Sequence, residues 1–352
     1  MQARIIRLSI FSILLLLVGA GTWRILGGTS DPSSPPALLP RVAGSVETIE
    51  VFDEKGTERP ADEKTIPVAE VLSETGKEAP LVIQKRDSVA DWDAHQALFE
   101  GENEIVDSRD AHSRHFLKED GTVEARISFQ PLHYQDGDGV WKSILLGIVP
   151  GEGGYVNRTN SVPSRFPETS GSGSEVEVGS DEETKIAFSL LSAGWTGTDG
   201  KYSLLWTPTA VPASVRENRV TYPNIFPGVE LRYTTLPGVV REELKLLEPP
   251  MMPGEEGMEL ATFGVVGNLQ LSTGCGLRVN GVDQAKEFVT SLPITVIDKN
   301  GVDLFHLGSP FATEEVAQVK ITGTWHARPL GNGLWEIHKQ VPADWLLDPN
   351  RN

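Results

Sequence analysis

A single cysteine in 352 residues, Cys275 within Ser272-Thr-Gly-Cys-Gly-Leu277, excludes an intrachain disulfide framework. A nucleophilic thiol there would need a histidine and a base beside it, and the stretch reads instead as a small buried residue next to a turn. Positive charge is also scarce: 31 Lys and Arg stand against 49 Asp and Glu, a net charge of −18. That field repels phosphate backbones, and no basic stripe with interleaved aromatics counters it, so nucleic acid is not an expected partner. The same field disfavours direct adhesion to anionic lipid or acidic wall polymer unless Ca²⁺ bridges them. Also missing are a Gly-x-Ser-x-Gly elbow, a phosphate-cradling glycine loop and a His-Glu-x-x-His helix, and nothing points to a cofactor. These absences leave β-scaffold lyases and glycosidases open, because such enzymes often lack local signatures.

What is present begins at the N-terminus. Arg4 and Arg7 precede the uncharged run Leu8 to Trp23, and Arg24 closes it. A basic flank stays on the cytoplasmic side while the apolar run enters the membrane, so the remainder is expected to be exported. The run falls short of the roughly 20 apolar residues of a spanning helix. Val18-Gly19-Ala20 offers small residues for signal peptidase, with Gly21 as first mature residue. An uncleaved single-pass anchor is the alternative, and the absence of a nearby cysteine excludes a lipid-anchored lipoprotein. Residues 1–26 are therefore expected to be a signal peptide or membrane anchor, the one membrane-contacting segment. Residues 27–86, opening with Pro32, Pro35, Pro36 and Pro40, carry too little apolar surface to offset ordering entropy and read as a flexible stem. Within 87–102, Ser88-Val-Ala-Asp91 has the form of a capping box. Val89, Trp92, Gln96 and Phe99 fall on one helical face, and Gly101 is the expected stop.

From residue 103 the period changes to two, and residues 103–352 are expected to form one all-β module. Val123, Ala125, Ile127 and Phe129 share one face of a strand, with Glu124, Arg126 and Ser128 on the other. His133-Tyr134 and Val140-Trp141 flank a turn at Gln135–Gly139. Ile186, Phe188 and Leu190 alternate, as do Val229, Leu231 and Tyr233, and Pro237-Gly238 turns the chain into a partner strand through Leu244 and Leu246. Asn280-Gly281 and Asn300-Gly301 suit type I′ turns, and Gly331-Asn-Gly333 turns the last pair, Val319–Thr322 and Leu334–His338 completing the series. The Ser-, Gly- and acid-rich stretch Glu168–Thr184 reads as a long exposed loop. Short, evenly spaced strands without intervening helices predict an antiparallel β-sandwich, as a single unit or as two packed sub-domains.

Four groups of residues invite chemistry. His112 and His115, close to Asp107 and Asp110, have a metal-compatible spacing, but no third or fourth ligand stands out and a polar surface segment explains them. Asp136-Gly-Asp-Gly139 resembles part of a calcium loop without its distal Glu, and turn chemistry accounts for it. Strict alternation puts Glu242 on the same face as Val240, Leu244 and Leu246, while Arg241, Glu243 and Lys245 point outward. A buried carboxylate must be paired or hydrogen-bonded, and Arg232 on the preceding strand is its expected partner if a bulge or register shift turns that side chain inward. A structural ion pair is the expected role; the alternative makes Glu242 or Glu243 a carboxylate of a polysaccharide-active enzyme. A carbohydrate-binding module would instead present Trp141, Trp195, Trp206 or Tyr233 as a sugar platform. No catalytic, cofactor or metal residue is assigned on this reading.

Three segments carry a resemblance. Arg109-Asp-Ala-His-Ser-Arg-His-Phe116 with Asp120-Gly-Thr122, His133-Tyr134 and Asp138-Gly-Val-Trp141 make the first. Tyr222-Pro-Asn-Ile-Phe-Pro-Gly-Val-Glu-Leu-Arg-Tyr233 with Leu236-Pro-Gly238 and Glu242-Glu-Leu244 make the second and most specific. Val341-Pro-Ala-Asp-Trp-Leu-Leu-Asp-Pro349 makes the third. Together they resemble a β module of large secreted bacterial proteins, found in wall-associated and Rhs (YD-repeat) surface proteins and ahead of DNRLRE domains. The resemblance spans residues 104–352, and the chain stops where that family continues into a further domain. It implies an extracellular, β-rich, non-catalytic module and supplies no catalytic residue. The expected partners are other domains or proteins of the cell envelope, with polysaccharide as the partner on the enzyme or carbohydrate-binding alternatives.

Overall fold

The computed structural model describes residues 6–14, 88–179, 183–253, 259–314 and 319–348. The chain is mostly β, built of antiparallel sheets with few helices. Among the described residues, one large sheet runs from Ser214–Arg216 through Arg219–Phe226, Val229–Leu236 and Val239–Leu246 to Ile6–Leu14. It continues through Asp303–Leu307 and Ile294–Ile297 to Gly276–Val279 and Val282–Gln284. The other centres on Leu260–Leu271, flanked by Ile186–Gly197 and Leu334–Pro342. One hydrophobic core joins them: Tyr222, Leu231, Tyr233, Val240 and Leu244 of the first sheet meet Trp195, Phe263, Leu269 and Ile337 of the second.

Alternation is what builds this core. In Val239–Leu246 every second residue is buried, Val240, Glu242, Leu244 and Leu246, with the intervening side chains half-buried. Asn280 and Gly281 both adopt positive φ, 48° and 79°, and close the Gly276–Val279/Val282–Gln284 hairpin as a two-residue turn. Asn300-Gly301 departs from the type I′ expectation: only Gly301 has positive φ, and the loop spans Asp298–Val302. The cause is Asp298, whose Oδ1 accepts the amides of Asn300 and Val302 and so holds a longer turn.

Glu168–Thr184 is not one long exposed loop. Thr169–Ser170 and Glu175–Val178 are strands, and Val176 and Val178 are buried. Glu-Val-Glu-Val is itself a period-two pattern, masked in composition by the surrounding Ser and Gly.

Toward the N-terminal side, Val89–Ala97 is a helix whose N-cap Ser88 accepts the Asp91 amide at 3.1 Å. It ends at Ala97, before Gly101. Trp92, Leu132, Ile144 and Leu146 form a second small core. The polar Gln96 in the middle of the helical stripe is buried because its amide donates to the Ile144 carbonyl and accepts from Arg114. The hairpin Ser113–Leu117/Val123–Ile127 turns its faces opposite to an ordinary amphipathic ribbon. Val123, Ile127 and Phe129 are exposed, while Glu124 and Arg126 are half-buried. Arg126 lies over the Phe116 ring, 4.6 Å from its centroid, and donates to Glu124 and to the Glu100 carbonyl.

The N-terminal apolar run enters as strand Ile6–Leu14, paired antiparallel with Val239–Leu246. Arg4, the Val18–Ala20 cleavage point and the stem at 27–86 lie outside the described residues. No described helix is long and apolar enough to cross a membrane.

Candidate functional site

The turn at Pro237-Gly238 folds Val239–Leu246 back on Val229–Leu236 so that Glu242 stands directly opposite Tyr233. Both side chains point into the space between the two large sheets. There Glu242 Oε1 accepts from Lys339 Nζ at 2.8 Å and Oε2 accepts from the Tyr233 hydroxyl at 3.1 Å. Lys339 comes from Leu334–Pro342 in the opposite sheet, so the pair ties one sheet to the other. Its side chain is 0% exposed and that of Glu242 5%. The ammonium also sits over the Phe188 ring, 3.6 Å from the centroid, a cation–π contact strengthened by burial of the lysine.

Burial penalises the charged lysine and pulls its pKa down to about 8, against the opposing pull of Glu242. The Tyr233 phenol is pushed well above its ordinary range, first by burial and then by the Glu242 charge. Beside the triad lies a cavity of about 20 Å³, bordered by Val176, Phe188, Val240, Leu307 and Ile337. Such a space is the size of about one water molecule and far too small for a sugar ring. This arrangement ties the two sheets together through one charge pair and offers no face to a polymeric substrate.

The structure thus bears out a partner for Glu242 but corrects its identity. Arg232 lies on the outward row, across from Glu243, and pairs with Glu230. No bulge turns it inward, because the two strands stay in register from Val229↔Leu246 to Leu236↔Val239. The residue that sequence reasoning misses is Lys339. Its signal was present: Trp335, Ile337, Lys339 and Val341 alternate on one face just as Val240, Glu242 and Leu244 do.

The remaining candidates are not assembled into a site. Asp110 is occupied by local bonds, accepting from the amides of His112 and Ser113 and from the Ser113 hydroxyl, each at 2.7 Å. Burial acts to raise its pKa, yet these bonds hold it below the usual value. His112 turns its Nδ1 to the Ser128 carbonyl at 3.2 Å, and His115 pairs across the hairpin with Ala125. Among the described residues no group of three or more His, Cys, Asp or Glu is placed to hold a metal. Asp136 caps its own turn, accepting from the Asp138 and Val140 amides. Cys275 is half-buried, with Sγ 3.6 Å from the Glu183 carbonyl. Nor do the aromatic rings form a platform: Trp195 and Tyr233 are buried, and Trp206 stacks on Phe226 against the core. Trp141 stands apart on the short Trp141–Ser143 strand.

A polar cluster not signalled in the sequence lies on the second sheet. His326 and His338 have ring centroids 5.1 Å apart; His326 pairs with Glu287, and His338 with Glu336, which also accepts from Arg328. Burial lowers the His338 pKa, as it does that of His133, whose Nδ1 lies 2.8 Å from the Asp110 carbonyl.

No family model matches the chain, and no solved structure matches it. Curated relatives include the tRNA(Glu)-specific nuclease WapA of Bacillus subtilis subsp. natto and the tRNA3(Ser)-specific nuclease WapA of Bacillus spizizenii. Each is 21% identical over 252 residues, covering 71% of this chain and 10% of the relative. The chain therefore spans about a tenth of the length of these relatives.

Proposed function

We propose that this chain is a non-enzymatic module of the extracellular space or cell envelope, a β-sandwich that helps present or assemble a larger secreted surface protein. The observation that carries the reading is Glu242. The carboxylate most open to a catalytic role is closed between two sheets and engaged by Lys339 and Tyr233, which is how a structural pair is built. The exposed row Val123, Ile127 and Phe129 adds support, since an apolar face on an exported hairpin suits contact with a neighbouring domain. Similarity to about a tenth of the WapA nucleases fits one module of a long protein. Their tRNA chemistry is not carried over, because a net charge of −18 opposes a phosphate backbone. Export rests on the Arg4/Arg7 flank and the apolar run that follows.

Two measurements test this. Fractionation of cells making the full chain is expected to place it outside the cytoplasm, with a mature N-terminus near Gly21 or an intact membrane-held chain. Soluble unprocessed protein in the cytoplasm would overturn the export reading. Separately, wild type and Glu242→Gln are compared for denaturant midpoint and for product release from bacterial and plant polysaccharides. Removing one member of a buried pair leaves the other charge desolvated, so a loss of about 3–5 kcal/mol is expected, with no product from either protein. Cleavage by wild type that vanishes in the variant, with the midpoint unmoved, would establish the polysaccharide-active enzyme instead.

A further inference from the structure

Among the described residues, the sheet containing Glu242 is continuous only through the strand Ile6–Leu14. Ile6–Leu14 lies between Val239–Leu246 on one side and, on the other, Asp303–Leu307 and Phe311–Glu314 placed end to end. Among the described residues no other strand joins these two edges. The register is specific: Ile6, Leu8, Phe11 and Ile13 stand opposite Leu246, Leu244, Glu242 and Val240, the buried row, while Arg7 and Ser12 stand opposite Lys245 and Arg241. One irregularity between Leu8 and Phe11 takes up the extra residue and keeps the apolar positions of both strands matched.

The same run has the flanks and composition of an export signal, so a processed chain no longer carries it. Both adjoining edges then present rows of unpaired amides and carbonyls, above the buried row and the small cavity bordered by Val240, Glu242 and Leu307. We infer that this seat is a strand-acceptor slot which, in the processed chain, takes an extended apolar segment donated by a partner polypeptide. The inference rests on the export reading proposed above. A lipid could cover the apolar row but could not satisfy two edges of backbone hydrogen-bonding groups, whereas a strand satisfies both. The seated run defines the donor: about seven to nine residues, antiparallel to Val239–Leu246, apolar at alternate positions and polar between them.

The test uses the full chain made by cell-free synthesis without membranes, with a protease site inserted after Pro40. After cutting, the leader fragment is expected to stay with the body, and a labelled peptide of residues 6–14 with charged solubilising tails is expected to displace it. An unrelated peptide that keeps the apolar alternation should also enter, and one carrying Leu8→Asp and Ile13→Asp should not. If the body unfolds when the leader leaves, peptide added during refolding should restore it. A body that keeps its circular dichroism and denaturant midpoint without the leader, and binds no peptide, overturns the inference. So does an unfolded body that no peptide restores. Self-association of the processed chain that blocks peptide entry would assign the slot to a second copy and overturn the donated-partner reading. Finding the full chain unprocessed in the cytoplasm would defeat export while leaving the exchange result standing, so the two failures are separable.

Discussion

At the residue scale the decisive arrangement is the Glu242–Lys339 pair. Each charge is costly in the core alone and tolerable only because the other is 2.8 Å away, with Tyr233 and the Phe188 ring completing the shell. Lys339→Met alone is therefore expected to destabilise by about 3–5 kcal/mol, as Glu242→Gln does. The double variant Glu242→Leu/Lys339→Met removes both charges together, and its denaturant midpoint is expected to recover most of the loss. A double variant as weak as the sum of the two singles would show that the residues act independently. Histidines supply the pH dependence. His133 and His338 are held below the ordinary value by burial, and the charges facing His133 are Arg109, Arg114 and Glu104. Between their folded values and the unfolded value of about 6.5, the unfolded chain binds more protons, so stability rises with pH. The denaturant midpoint is expected to fall as pH drops from about 7 through 6.5 toward 5, and less steeply in His133→Gln.

At the scale of elements, the hairpin Ser113–Leu117/Val123–Ile127 shows how packing overrides pattern. Its apolar row faces solvent because the charged row has the better partners: Glu124 lies between Lys118 and Arg126, and Arg126 reaches the Phe116 ring and the Glu100 carbonyl. Ile127 is 69% exposed, and Ile127→Lys is expected to change the unfolding free energy, measured by denaturant titration, by no more than about 0.5 kcal/mol. An ordinary inward-facing strand residue replaced by lysine would cost several times that, so the comparison decides which face packs. The same variant provides a probe of docking, because it should weaken assembly with a neighbouring domain without unfolding the module.

At the scale of the whole molecule, two sheets closing on one core turn local alternation into an interior. The sequence by itself determined the all-β class, the Ser88-capped helix, the Pro237-Gly238 and Asn280-Gly281 turns, and the inward direction of Glu242. All of these rest on near-neighbour geometry: φ at a turn, a side chain reaching its own backbone, or the two-residue period of a strand. What only the tertiary structure decided is which distant segments meet. Lys339 is 97 residues from Glu242, and Arg232, nearer in the chain, is excluded by a register that leaves it on the outer row. The strand at Glu175–Val178 and the outward apolar hairpin were likewise settled by available partners rather than by composition. Ile6–Leu14 is the sharpest case: the residues that read as a membrane-entering run also fit a slot in a sheet, because apolarity is common to both and only the surrounding edges distinguish them.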